Sequence, residues 1–422
     1  MEHLRAFANS FTSAARDMTN DFQYNPASTG RQYRIGNKVL KEERLLSEGG
    51  FGFVYLVREV PSGEMYVVKR ILCQDRERFE LAQREVEILE KLPIHPNLVK
   101  YYGHSIEKSD LRNREVSILL EYCPGGHLYD LMLRNNGHVP TGDILKATRD
   151  IISGLVALHS MDPPIQHRDL KLENVLLNSI GNYVLLDFGS WSSDAPDLSK
   201  LTRDELMRFE ETVERYTTLM YRPPEMADLY KGFQISGKVD MWMLGCILFT
   251  LLNNKHPFQN ASNLAIVNCR YNFDQDHCKN YPPKFIELCG WLLAQNPADR
   301  PTSSQLQQLV AVWDESDPLP LPQSVIDRIE KDARLYGIPS MARRNSVREP
   351  RKKSAPTVSN DWTTNQTVGN TTDQWQPDFS SSTSIATFND LLDLSPAPDV
   401  SAPTKPNVIV PATSDSMPDL LG

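Results

Sequence analysis

The sequence predicts an α+β fold of two lobes, a strand-rich first lobe and a larger helical second one, followed by a long tail without a core. Three observations predict it. Between about residues 39 and 122, β-branched and aromatic runs alternate with turn signals around one charged helical segment. From 129 to about 313, apolar residues recur mostly at helical spacing. Beyond about 337 the chain turns to Ser, Thr, Asn, Asp and Pro, with too little apolar surface to offset the entropy of ordering. The boundaries that follow are a leader over 1–32, the folded domain over 33–314, a short helical extension over 315–337 and a disordered tail over 338–422.

Composition narrows the function classes. The 422 residues are 40% hydrophobic and 23% charged, an ordinary globular balance. The formal charge of -9 gives no bulk positive field, so nucleic acid is not an expected partner. Much of that acidity belongs to residues 354–422, which hold eight Asp, no Glu and one Lys. Cys73, Cys123, Cys246, Cys269, Cys278 and Cys289 form no CxxC pair, so reduced thiols and a cytoplasmic location are expected. Glu2 and Arg5 interrupt the start, and no secretory signal is expected there. The longest apolar run, 241–252, is shorter than the roughly 20 residues a bilayer requires. It reads as a buried core helix, and no transmembrane segment is expected.

The elements follow in order. In the leader, Leu4, Phe7, Phe11, Ala14, Ala15, Met18 and Phe22 recur at helical spacing. That face suits a helix capping the domain, or an amphipathic helix for a partner or a membrane surface, although its polar face has few Lys or Arg. Val39-Leu40 and Arg44-Leu45-Leu46 lead into Ser47-Glu48-Gly49-Gly50-Phe51-Gly52-Phe53-Val54. Glycines there let backbone N–H groups approach phosphate oxygens without interference from a Cβ. The runs 53–57 and 65–68, joined by Pro61-Ser62-Gly63, read as a hairpin. Lys69 ends the second run, where a point cation can meet phosphate if an acid holds it. The helical segment 79–92 offers Glu85 and Glu87 for that task. Residues 116–122 return to strand.

His167-Arg168-Asp169-Leu170-Lys171-Leu172-Glu173-Asn174 is the most specific string. Asp169 can accept a proton from an attacking hydroxyl, and Lys171 can neutralise a phosphoryl group as charge shifts. Asn174 and Asp187, in Asp187-Phe188-Gly189, supply oxygen ligands of the kind Mg2+ prefers. In the protein-kinase pattern that these strings resemble, Thr218 can hydrogen-bond Asp169 and Lys171, His167 is a packing residue, Glu225 and Arg300 form a buried ion pair, and Asp240 holds the loop around Asp169.

In this order and at these separations, the series resembles the protein kinases. The resemblance implies a bilobal kinase fold that uses ATP and Mg2+. Ser47, Gly49, Gly50, Gly52, Val54, Val67 and Lys69 then face the nucleotide, Leu120 is the gatekeeper, and Glu121 to Cys123 form the hinge. It favours Glu85 over Glu87 as the partner of Lys69. Lys171, two residues after Asp169, points to Ser/Thr acceptors. Two departures stand out. Val67 replaces the usual Ala, which narrows the expected adenine pocket, and Pro223 precedes Pro224-Glu225, which predicts a local backbone change.

Shorter strings resemble the Numb-associated kinase family: Glu48-Gly49-Gly50-Phe51, Tyr122-Cys123-Pro124-Gly125-Gly126, Asp187-Phe188-Gly189-Ser190 and Tyr216-Thr217-Thr218-Leu219-Met220-Tyr221-Arg222. That resemblance implies Ser/Thr phosphorylation of endocytic proteins, notably the medium chain of clathrin adaptor complexes. It also implies an extra helix after the activation segment, for which 226–237 is the open candidate, and activity without an upstream kinase. Arg168 is a candidate reader of an activation-loop phosphate on Ser192, Ser193, Thr212 or Thr217.

In the tail, Leu391-Leu392-Asp393-Leu394 resembles a clathrin box, and Asp390-Leu391-Leu392 and Asp419-Leu420-Leu421 resemble assembly-protein repeats. Clathrin is therefore an expected partner, with coated pits and vesicles the expected place of action. Arg343, Arg344, Arg348, Arg351, Lys352 and Lys353 surround Ser346 and suit a solvated linker, peripheral contact with acidic lipid, or a modification site. Two alternatives remain, a kinase acting outside endocytosis and a pseudokinase-like scaffold that binds clathrin or adaptors. None of Lys69, Asp169, Asn174 or Asp187 is replaced, which disfavours the scaffold.

Overall fold

The strand signals of the first lobe become β1 (Gln32–Ile35), β2 (Lys38–Gly49), β3 (Gly52–Glu59), β4 (Met65–Cys73), β5 (Tyr101–Lys108) and β6 (Arg114–Glu121). The computed structural model describes residues 30–49, 52–108, 113–259 and 262–336. The leader, Gly50 and Phe51, the basic run around Ser346 and the clathrin-box candidate Leu391–Leu394 lie outside the described residues.

The six strands form one antiparallel sheet in the order β1-β2-β3-β4-β6-β5. The sheet curls on itself: Ile35 of β1 comes so near β5 that a Cβ at Gly103 would lie 3.1 Å from it. Tyr33, Ile35, Leu40, Tyr55, Val57, Val68 and Leu119 fill the inside. Side chains alternate across a strand, so Val67 and Lys69 of β4 share the opposite face. Val54 pairs with Lys69, and Leu120 pairs with Val67, which puts all four on the face that meets the second lobe.

Helix α1 (Arg76–Lys91) starts where the Asp75 carboxylate accepts from the Arg78 N–H at 2.7 Å. Its apolar stripe buries Ala82, Val86, Ile88 and Leu89, and carries Glu85 inward with them.

The second lobe holds α2 (Leu128–Arg134), α3 (Thr141–His159), the hairpin β7 (Val175–Leu177) and β8 (Tyr183–Leu185), then α4 (Arg203–Tyr216) and α5 (Pro224–Ala227). It continues with α6 (Lys238–Asn253), α7 (Asn263–Val267), α8 (Gln275–Cys278), α9 (Pro283–Leu292), α10 (Ser303–Ala311) and α11 (Gln323–Tyr336). Every residue of α6 from Val239 to Asn253 is buried, which accounts for the long apolar run. No helix among the described residues is long and apolar enough to cross a membrane. The extension seats on this lobe: Val325 of α11 is buried, and Arg328 donates to Leu293 O at 3.0 Å and Cys269 O at 2.8 Å.

Two local findings differ from the sequence reading. The activation segment itself carries a helix, α4, whereas 226–237 holds only the end of α5 and a short turn. Thr202 and Glu205 close a capping box at the start of α4, and Leu206, Phe209 and Val213 form its inner face. Pro223 causes no disruption, because it is extended (φ -75, ψ 162) and Pro224 occupies the first helical position of α5.

Glu225 of α5 and Arg300 pair bidentately at 2.6 and 2.8 Å with both side chains buried. Arg300 also donates to Ala294 O and Lys238 O, so its charge is fully engaged. Breaking a buried pair on one side leaves an uncompensated charge. Arg300→Met is therefore expected to lower the unfolding free energy by about 3–5 kcal/mol, measured by urea denaturation. A loss under about 1 kcal/mol contradicts the architectural role.

Candidate active site

The register of the sheet brings the phosphate-side residues together. β2 and β3 flank the glycine turn, with Ser47 opposite Val54 and Gly49 opposite Gly52. Gly52 is required by contact as well as by conformation. Its φ is +120, and a Cβ there would lie 2.1 Å from Arg70 O. Ser47 is buried, and its hydroxyl has no hydrogen-bond partner among the described residues. β6 ends at Glu121, and the chain passes through the buried Cys123 into α2, linking the lobes. Burial pushes the Cys123 thiol up to about 12, so it is inert as a nucleophile. Val67 is half-buried beside Leu120 on the face that looks into the cleft.

Lys69 Nζ lies 2.6 Å from Glu85 Oε1 and 3.0 Å from Asp187 Oδ1. The choice between the two acids of α1 is thereby settled: Glu87 instead pairs with Lys91 on the exposed side. Burial opposes the Lys69 charge, but Asp187 and Glu85 outweigh it and raise its pKa. Asp187 shows the converse. Burial pushes it up, yet Lys69 and then Lys171 hold it at about 2.

Across the cleft, Asp169 is the hub of a second cluster. Lys171 Nζ donates to its Oδ2 at 2.8 Å and Thr218 Oγ1 to its Oδ1 at 2.7 Å. Lys171 also reaches Thr218 Oγ1 at 3.2 Å. Asn174 Nδ2 donates to Asp169 O at 2.8 Å, which leaves the Asn174 amide oxygen as its available ligand atom. Burial disfavours the Lys171 charge, but Asp169 more than restores it, so the ammonium persists.

Asp240, wholly buried at the start of α6, holds this loop from beneath. It accepts from the backbone N–H of His167 and of Arg168, both at 2.9 Å, and faces His159 Nε2 at 2.9 Å. Burial would raise Asp240, but these donors keep it ionised and below the usual range. His167 donates to Leu186 O at 3.0 Å and packs on Phe188, so it serves the architecture.

Arg168 does not face an open phosphate site. Its guanidinium donates to Gln166 Oε1 at 3.0 Å and Asp194 O at 2.6 Å, and lies 5.7 Å from the Phe209 ring of α4. Burial lowers its pKa to about 10. Of the hydroxyls considered for modification, Ser192 is buried, Thr212 donates to Arg208 O, and Thr217 bonds both Val213 O and Arg222. His159 and Trp191 escaped the sequence reading, and Arg222 entered it only as the end of a family string with no role assigned. His159 closes α3 and Trp191 follows Asp187-Phe188-Gly189-Ser190 without belonging to it, so only the fold reveals what these three touch.

The arrangement can therefore grip an anion with one lysine, orient a hydroxyl with one carboxylate, and offer Asp187 and Asn174 oxygens to a hard cation. Its relatives fit that chemistry. A family model described as the protein kinase domain matches residues 40–311. A probable serine/threonine-protein kinase of Dictyostelium discoideum is 40% identical over 281 residues, covering 66% of this chain and 34% of that protein. A second from the same organism is 35% identical over 294 residues, covering 69% and 26%. A serine/threonine-protein kinase of Schizosaccharomyces pombe is 35% identical over 314 residues, covering 74% and 32%. The matched region thus spans only about a quarter to a third of these relatives' length. The match encloses both clusters and the cleft between them, and the chain belongs to the protein kinase domain family.

Proposed function

We propose that this chain is a protein serine/threonine kinase that uses ATP with Mg2+. The observation that carries the reading is the convergence of Lys171 and Thr218 on the Asp169 carboxylate, facing Asp187 and Lys69. Asp187 and the amide oxygen of Asn174 suit Mg2+, which keeps several waters and needs only one or two protein oxygens. When bound, the cation neutralises charge on the phosphate oxygens. Lys69 binds the phosphates from above, and Lys171 meets the charge that develops on the transferred group. Asp169 accepts the proton of the Ser or Thr hydroxyl as the new O–P bond forms and the bond to ADP breaks.

We propose further that the substrates are endocytic proteins, first among them the medium chain of clathrin adaptor complexes. In this reading the tail binds clathrin through Leu391–Leu394, and the protein acts in the cytoplasm at coated pits and vesicles. Its support is the sequence likeness to Numb-associated kinases and the acid-leucine strings of the tail. Weak motifs in series gain from effective concentration. The basic run near Ser346 supports peripheral contact with acidic membrane.

Asp169→Ala is expected to cut transfer from ATP to an adaptor medium-chain fragment by about 10²–10⁴-fold while the protein stays folded. A degenerate-peptide screen should show Ser and Thr acceptors and no Tyr. Wild-type rates in the variant, or Tyr acceptors, would overturn the reading. Deleting residues 385–422 is expected to abolish clathrin recovery in a pull-down without changing peptide phosphorylation. Equal recovery removes clathrin from the proposal.

The Asp187 charge also predicts a pH signature. Its folded pKa of about 2 lies below the ordinary 3.8, so its contribution to stability is fully present above pH 3.8 and is lost as pH falls toward 2. The difference in unfolding free energy between wild type and Asp187→Asn should shrink as pH falls from about 3.8 toward 2, below the range in which Glu85, raised by burial and by its neighbour Asp187, takes up its proton. Urea titrations across that range test this, and a difference that grows on acidification contradicts it.

A further inference from the structure

We infer that Trp191 is a positioning residue for the Lys69–Glu85 pair: its indole pins α1 at the residue next to Glu85 and so couples that pair to the activation segment. The inference rests on the kinase reading above and deepens it. Trp191 Nε1 donates to Arg84 O at 3.0 Å, while Arg84 Nη2 reaches back to Trp191 O at 3.4 Å. The Arg84 guanidinium also lies 5.7 Å from the indole ring.

The other side of Trp191 is anchored. Ser192 exchanges two backbone hydrogen bonds with Gln166, at 2.8 and 3.1 Å, just before the catalytic loop. Ser190 Oγ donates to Tyr216 O, tying the start of the segment to the end of α4. One helical stripe of α1 thus meets the activation segment twice. Glu77 pairs with Arg215 of α4, and two turns later Arg84 meets Trp191. The Glu77–Arg215 pair is exposed and contributes little by itself, so the indole contact carries the argument.

The consequence follows from helix geometry. Glu85 reaches Lys69 only at one rotation of α1, and residue 84 is its immediate neighbour. A hydrogen bond to Arg84 O from a segment locked to the catalytic loop resists rotation and outward drift of the helix. When the segment loosens, that restraint is lost, and with it the geometry of Lys69. Trp191 touches neither nucleotide nor substrate in this scheme and acts through Glu85.

The test is a double-mutant cycle on the full chain with ATP and a peptide acceptor. Trp191→Phe keeps an aromatic ring and removes the hydrogen bond. It is expected to lower kcat/KM for ATP about threefold to tenfold, the range of one hydrogen bond, with the KM for peptide unchanged. In a Glu85→Gln background the same substitution should cost nothing further. Additive losses, or a loss confined to peptide KM, overturn the proposal. Trp191→Ala should give a larger loss of the same kind; if it fails to fold, Trp191→Phe, checked by its unfolding midpoint, still decides. An inactive wild type defeats the kinase reading instead. The cycle is then run on ATP affinity by calorimetry, where additivity, or no change in Trp191→Phe, again counts against Trp191.

Discussion

One ammonium group, that of Lys69, is shared by two carboxylates from different parts of the fold. Glu85 arrives on a helix packed against the first lobe, and Asp187 arrives on a loop of the second. Two carboxylates this close repel each other in a medium that screens weakly. The cation between them makes their approach favourable, so the three charges assemble together or not at all. The pair also fixes the distance between the lobes at the depth where phosphate chemistry takes place. Everything that orients α1 or the loop at Asp187 therefore acts on the same point.

The second lobe meets that requirement with buried polar anchors. Arg168 and Asp187 adopt left-handed backbone, with φ of 64 and 62, which costs about 1–3 kcal/mol each and persists only where the surroundings impose it. Asp240 imposes it at Arg168 through two backbone hydrogen bonds. The Glu225–Arg300 pair joins α5 to the loop before α10, beneath the segment that carries Thr218. These groups do no chemistry, yet they hold Asp169 within reach of Lys171 and Thr218.

The activation segment is held by its own side chains. α4 supplies Phe209 against Arg168, Asp194 supplies a carbonyl, and Arg222 fastens the helix end to Thr217 and Glu214. In this arrangement the Arg168 guanidinium is engaged by Gln166 Oε1 and Asp194 O within the protein itself. Sequence reasoning missed the helix for a physical reason. Its apolar face is short, with Leu206, Phe209 and Val213 among five acids and three arginines on the outside, and likeness to relatives directed attention to a later stretch. The capping box at Thr202 and Glu205 was the available signal.

The chain of amino acids alone determined the two-lobed class, the ordered phosphate-transfer residues and the buried character of α6, because periodicity, turn chemistry and rare residue strings are local properties. Helical periodicity offered both Glu85 and Glu87, and likeness to the kinases favoured Glu85, but only the rotation of α1 against the sheet shows which acid meets Lys69. Tertiary structure confirmed Glu85 by contact, and it alone decided the enclosure of Arg168 and the contact between Trp191 and Arg84. Each depends on groups more than 10 residues apart meeting within hydrogen-bond or ring-contact range. Contacts of that kind are set by how layers pack, and no local pattern encodes them.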